Sequence, residues 1–189
     1  VSGVDKNRRR LLAALTLLIV AGVTNAHTPY RQWVVYRRKH LLIGTTRADP
    51  DGYRLGKALA GALATELPES QARVARARDT RRLANLMATG QLQTALFNIE
   101  EVLAMAAGSS PYEDIGPLDL RVLLILDRYL LMAVPTLPDH HAWLVTSALE
   151  VAGYGTSQLI GADGISFHPG SRAYLDGRRM PDPPIEPVD

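Results

Sequence analysis

The sequence predicts an α/β fold: a mostly parallel sheet flanked by helices, preceded by an N-terminal signal or anchor helix. Three observations carry this. Short apolar runs alternate with segments of helical apolar spacing across residues 41–152, and such alternation packs as a sheet with helices on its faces. The strand-like runs at residues 121–126 and 129–134 are almost continuously apolar, as strands covered on both faces must be. A basic stretch and then an apolar run open the chain.

The elements are taken in chain order. Val34–Tyr36 and Leu41–Thr45 read as strands. Asp49, Pro50, Asp51 and Gly52 are turn and helix-start residues. Leu55, Leu59, Leu63 and Leu67 recur every four residues and predict one apolar helix face, ended by Pro68. Arg73–Arg78 is a short strand. Asp79 or Thr80 caps a helix with an inner face of Leu83, Leu86 and Met87, and Gly90 ends it. Thr94–Phe97 is a strand, and after it comes a helix presenting Val102, Leu103 and Ala106. Gly108–Pro117 is a loop. Arg121–Leu126 and Tyr129–Val134 read as buried strands, with a helical segment as the alternative. Thr136 is placed to cap the last strong helix, whose apolar face includes Val145, Ala148, Leu149 and Ala152. Met180–Asp189 carries Pro181, Pro183, Pro184 and Pro187 and reads as a disordered tail.

Composition narrows the function classes. A chain of 189 residues allows one ordinary domain, and 47% hydrophobic with 21% charged residues excludes a disordered or multi-span protein. The absence of cysteine excludes disulfides, thiolate metal sites and cysteine nucleophiles, and leaves the compartment open. Residues 1–40 hold eight cations against Asp5, a net of +7; with +2 for the whole chain, the remainder carries −5. The basic charge thus belongs to the leader and stem, and nucleic acid is not an expected partner.

Lys6 and Arg8–Arg10 precede the apolar run Leu11–Val23, and Thr24, Asn25 and Ala26 end it with small and polar residues before His27. This is a signal-peptide pattern. The run is shorter than the about 20 residues of a membrane span, but Tyr30 and Trp33 are suited to interfacial anchoring, with Arg31 and Arg37–Lys39 beyond them. A cleaved signal and a retained anchor both remain open, and both export the rest of the chain. The expected organisation is a signal peptide or anchor over 1–30, a basic stem over 31–40, one α/β lobe over 41–178 and the tail over 179–189.

In a parallel sheet, ligands sit at the carboxyl ends of the strands, where helix N-termini point free N–H groups. Three segments meet that condition: Thr45–Gly52, Arg78–Arg82 and Asn98–Glu101. The candidate ligand-binding residues within or beside them are Thr45, Thr46, Gly52, Tyr53, Arg78, Arg81 and Asn98. Arg73, Arg76, Arg78, Arg81 and Arg82 form the one basic cluster of the body, suited to clamping a carboxylate or phosphate and equally to meeting solvent or an acidic partner. His140 and His141 are neighbours whose side chains are expected to diverge on a helix, so no metal site is assigned. His168, before Pro169 and Gly170, reads as a turn-ordering residue. The carboxylates Glu100, Glu101, Glu113 and Asp114 are paired in sequence, whereas acid–base catalysis needs them across a substrate. Gly153–Gly155 and Gly161–Gly164 lack the context of a phosphate loop. No nucleophile–base pattern is present, no cofactor is indicated and a non-enzymatic protein is expected. Tyr30, Trp33 and Trp143 are the candidate interface residues.

Four stretches in order resemble the TAXI-type solute-binding proteins of TRAP transporters: LIGTT with GYRLGKALAGAL (Leu42–Leu63), TRRLANLMATGQLQTALF (Thr80–Phe97), TLPDHHAWLVTSAL (Thr136–Leu149) and SFHPGSRAY (Ser166–Tyr174). The resemblance implies one lobe of a periplasmic-binding-protein-like fold. It also carries departures. Members of that family hold a ligand between two lobes, but here the strands at Arg121–Val134 run almost directly into the late helix, and the second lobe is missing. Asp49 and Asp51 stand in the expected ligand loop and oppose an anionic solute. A half-cleft leaves a ligand about half exposed, where ordinary sites bury roughly 70–90%. The expectation is a periplasmic accessory or scaffold subunit, tethered to the inner membrane by its N-terminal segment and docking on a membrane protein complex or transporter subunits. The alternative is a residual receptor for a small anionic solute.

Overall fold

Every residue of β1 (Leu42–Thr46) is buried, which demands a strand on each edge and a helix on each face. The computed structural model describes residues 39–155 and 165–183, within the compact unit Arg37–Asp189, and it supplies all four neighbours. The leader, the strand expected at Val34–Tyr36, Tyr30, Trp33, Gly161–Gly164 and the last residues of the Pro-rich tail lie outside the described residues.

The elements are β1, α1 (Pro50–Glu66), a 3-10 turn (Pro68–Ser70), β2 (Arg73–Ala77), α2 (Thr80–Ala88), β3 (Thr94–Asn98), α3 (Ile99–Ala107), β4 (Arg121–Leu126), β5 (Tyr129–Ala133), α4 (Asp139–Val151) and α5 (Pro169–Leu175). They build one five-stranded sheet in the order β2-β1-β3-β5-β4. β1 pairs in parallel with β2 and β3, whereas β5 is antiparallel to both β3 and β4. The sheet is thus mostly parallel, with β5 alone reversed. The reversal has a local cause. Only Asp127 and Arg128 separate β4 from β5, too few for a crossover, and Asp127 takes the turn with φ 56°.

Two cores lie on opposite faces of the sheet. On one, α1 and α4 pack Leu59, Leu63, Val145 and Leu149 over Ile43, Leu96 and Leu131. On the other, α2 and α3 pack Leu83, Met87, Val102 and Met105 over Leu42, Phe97, Leu130 and Met132. The register of β4 shifts between Val122 and Leu124, so Leu123 and Leu124 both join the α1–α4 core. The core hydroxyls of Thr94, Thr146 and Ser171 are paired. The Thr94 hydroxyl donates to the Leu42 carbonyl at 2.7 Å, and the Thr146 hydroxyl lies 2.8 Å from Ser171 Oγ and 2.9 Å from the Ala142 carbonyl.

Several local expectations are corrected. The face of α1 against the sheet is made chiefly by Gly52, Gly56, Leu59, Ala60 and Leu63, while Leu55 and Leu67 are only partly buried. Small residues serve there because the helix approaches closely: a Cβ on Gly56 would lie 2.6 Å from the Thr45 methyl. α3 buries Val102 and Met105, and Leu103 is 44% exposed, because the helix is rotated so that positions three apart face the sheet. Thr136 does not cap α4. The cap position is Pro138, without a side-chain bond, and Thr136 lies two residues further out, beyond reach of the first-turn N–H groups. The rings of His140 and His141 do not diverge but approach to 4.2 Å, tilted by 56°.

α5 closes the outer side of β4. Val122 N–H donates to the Ser166 carbonyl and His168 N–H to the Val122 carbonyl, so this segment adds a parallel bridge beside β4. His168 orders the turn as read from sequence: it is fully buried, and its Nδ1 accepts from Gly170 N–H at 3.4 Å. Gly170 sits against the backbone of α4, and a Cβ there would come within 2.7 Å of the Asp139 carbonyl carbon.

Two glycines give this packing a measurable contrast. Gly170→Ala should cost about 3 kcal/mol in chemical denaturation, because backbone cannot yield as a side chain does. Gly61→Ala, in mid-helix with open space around it, should instead stabilise by about 0.5–1 kcal/mol. Two imidazoles set a pH dependence, His168 buried and His141 at the surface. Burial pulls the His168 pKa below its usual 6.5, with the Asp139 carboxylate opposing, and burial also lowers that of His141, aided by His140. The unfolded chain therefore binds these protons more readily, and stability is full above pH 6.5 and lost as pH falls toward the folded values. His168→Asn, which keeps a cap acceptor, should flatten that decline to the part due to His141 when unfolding is compared at pH 7.5 and 5.5.

Candidate functional site

The carboxyl ends of β1, β2 and β3 bring the N-termini of α1, α2 and α3 to one edge of the sheet, as the strand–helix order predicts. Because β5 is reversed, its first residue, Tyr129, stands at this edge too, paired with Asn98. All seven candidate ligand-binding residues lie along this edge. Their polar groups are largely committed to one another and to the chain.

At α1, Asp49 caps the helix, accepting from Asp51 N–H at 3.1 Å and Gly52 N–H at 3.0 Å. The Thr46 hydroxyl in turn accepts from Asp49 N–H. The other carboxylate oxygen of Asp49 accepts the Tyr129 hydroxyl at 2.7 Å. Gly52 permits this contact, since a Cβ there would collide with the Asp49 carboxylate and lie 3.3 Å from the Tyr129 ring. Arg128 completes the group: its guanidinium is 3.2 Å from Asp51 and 3.3 Å from the Tyr129 hydroxyl. Partial burial works against ionisation of Asp49, but the Gly52 N–H, the Tyr129 hydroxyl, the Asp51 N–H and the Arg128 charge outweigh it and hold the pKa below 3.8. Burial raises the Tyr129 pKa, and the Asp49 carboxylate adds to the rise.

The other two helix ends are closed in the same way. Asp79 caps α2, accepting from Arg82 N–H at 2.7 Å and from Arg78 Nε at 2.8 Å, and the Arg82 amide is the leading cause of its lowered pKa. Asn98 and Glu101 form a reciprocal capping box at α3. Glu101 also accepts the Thr80 hydroxyl at 2.7 Å, which ties the start of α2 to that of α3. Thr45 is buried, with its hydroxyl 3.4 Å from the Ala75 carbonyl. Arg81 pairs with Asp114, and the guanidinium of Arg76 lies 4.2 Å above the Tyr53 ring. Among the described residues, Arg47, Arg76 and Arg82 form no ion pair with a carboxylate, so the edge is internally capped yet rimmed by cations. Arg73 of the sequence cluster opens β2 and so belongs to the opposite edge.

Other sequence candidates lie away from this edge. Trp143 packs edge-on against Tyr174, ring centres 5.2 Å apart, and donates from Nε1 to the Arg178 carbonyl; it holds α5 and its exit segment against α4. Among the described residues no group of three His, Asp or Glu side chains is placed to hold a metal, and no helix is long and apolar enough to cross a membrane. Sequence reasoning missed Tyr129, Arg128 and Asp127. The available signal was the two-residue gap between two apolar runs, which marks a hairpin and so returns the chain to the same edge.

The Asp49–Tyr129 bond is open to a double-mutant test. Asp49→Ala should cost about 1–2 kcal/mol at pH 7 through the lost cap, and Tyr129→Phe about 1 kcal/mol. The coupling between them should be about 1 kcal/mol at pH 7 and should shrink as pH falls through the folded pKa of Asp49, because the lowered value makes the bond's stability present above pH 3.8 and lost below it. Equal coupling at pH 7 and pH 2.5 would contradict the assignment.

No protein-family model matches the chain, and no curated protein sequence matches it.

Proposed function

We propose that this chain is an exported, membrane-tethered, non-enzymatic accessory subunit, derived from one lobe of a TAXI-like solute-binding protein, that docks through the carboxyl edge of its sheet onto an acidic surface of a membrane or periplasmic protein complex. One observation carries the docking reading. The three helix N-termini at that edge are each capped by the chain's own Asp49, Asp79 and Asn98–Glu101, while Arg47, Arg76 and Arg82 stand around them without an acidic partner among the described residues. A solute receptor for small anions needs free N–H donors at such ends. A docking face needs unpaired charge on a rigid support, which steers association and selects the partner. The leader pattern and the order of the four resembling segments support export and ancestry.

A photo-crosslinking residue at position 78, where the arginine side chain is 87% exposed, tests this in cells that express the full chain. The expected result is one discrete adduct with a membrane-complex subunit, absent when the probe is at the exposed position 65 and lost on the double change R76E/R82E. Adducts that survive the charge reversal, or none at position 78, would overturn the docking face. Saturable thermal stabilisation by small carboxylates, itself abolished by R76E/R82E, would favour the residual-receptor alternative.

A further inference from the structure

At the opposite edge of the sheet, where β1 and β3 begin, a cavity of about 320 Å³ opens between α4 and the 3-10 turn. Its floor is apolar: Leu67 from the end of α1, Leu137 from the approach to α4, and Leu144 and Val145 from α4 itself. Of its polar lining residues, Lys39, Glu69, Gln93 and His141 are exposed and form the rim. Lys39 and His40 come from the entry to β1, Glu69 and Ser70 from the turn, Gln93 from the approach to β3 and His141 from α4. Ser70 Oγ is shielded from solvent and has no hydrogen-bond partner among the described residues. Small-molecule sites have this composition: a mostly apolar volume of about 300–1,000 Å³ with a few polar groups that fix one end of the ligand.

We infer that this cavity binds a medium-chain carboxylate, its apolar tail on the leucine floor and its ionised head at the Lys39–His141 rim. Size and charge both select this class. The volume lies at the low end of the roughly 300–1,000 Å³ of small-molecule sites, which suits a short amphiphile such as an eight-carbon acid. The lining supplies the Lys39 ammonium and the His40 and His141 imidazoles, with the His140 ring 4.2 Å from that of His141, against the single carboxylate of Glu69. An anion therefore meets the Lys39 ammonium and the His141 imidazole, and an ammonium ligand meets one acid. Burial and the neighbouring His140 keep His141 easily deprotonated in the empty site, so an anionic head draws a proton onto it and binding strengthens as pH falls from 8 to 6.

Calorimetric titration of the full chain with octanoate, below its micelle-forming concentration, tests the inference, with octylamine and octanol as ligands of the same shape. One saturable site is expected for octanoate, about tenfold tighter than for octylamine and tighter at pH 6 than at pH 8. Leu144→Trp should fill the floor and abolish binding, and Lys39→Gln should weaken octanoate about tenfold while leaving octanol unchanged. If Leu144→Trp fails to fold by circular dichroism, Lys39→Gln and His141→Gln decide, since both positions are at the rim. No saturable octanoate binding, equal affinity for octylamine, or indifference to the rim changes would overturn it. The cavity is remote from the arginine-rimmed edge, so R76E/R82E should leave octanoate binding intact.

Discussion

The carboxylate of Asp49 holds together the parts of the molecule that chain order alone would leave separate. It satisfies the first N–H groups of α1, the longest helix among the described residues, and receives the hydroxyl of Tyr129, a residue eighty positions later at the start of the reversed strand. A half-buried carboxylate tolerates that position only when hydrogen bonds replace the lost water, and three of them do. The requirement reaches further than the pair. It needs glycine at position 52, it needs a turn short enough to bring Tyr129 back to this edge, and it draws Arg128 over the top to balance Asp49 and Asp51.

Once that bond is in place, the carboxyl edge of the sheet is a finished surface. Its helix dipoles face internal acceptors, and its hydroxyls at Thr46, Thr80 and Tyr129 all have partners within the chain. Such an edge is rigid and charged but offers few free donors to a small ligand. The opposite edge has the reverse character: an apolar hollow with a shielded hydroxyl and paired imidazoles. Chemistry suited to meeting a charged partner and chemistry suited to holding an amphiphile are thus separated by the length of the strands.

The alternation of strands and helices was legible because each helix announces itself locally. Asp49-Pro50, Asp79 and Asn98 with Glu101 are cap signals that depend only on nearby residues, and β1 and β3 are apolar runs too short for a helix. What escaped was non-local. The direction of β5 depends on which strand it joins, and its apolar sequence is the same read either way. The glycine-lined face of α1 reflects how near the helix comes to Thr45, which leucine spacing does not encode. The candidate site shows the same division. Position on the edge came from topology, but the internal pairing of Thr80 and Arg81 arose from Glu101 and Asp114, partners contributed by other segments of the chain.

The docking reading depends on the helix ends at the carboxyl edge being closed by the chain itself. Amide chemical shifts of Gly52, Arg82 and Glu101, followed by nuclear magnetic resonance during titration with phosphate and with succinate, test that closure most directly. Closed ends predict shifts that grow only weakly and linearly with concentration at all three amides. A saturable change confined to these amides would show that the helix ends still accept an external anion, and would contradict it.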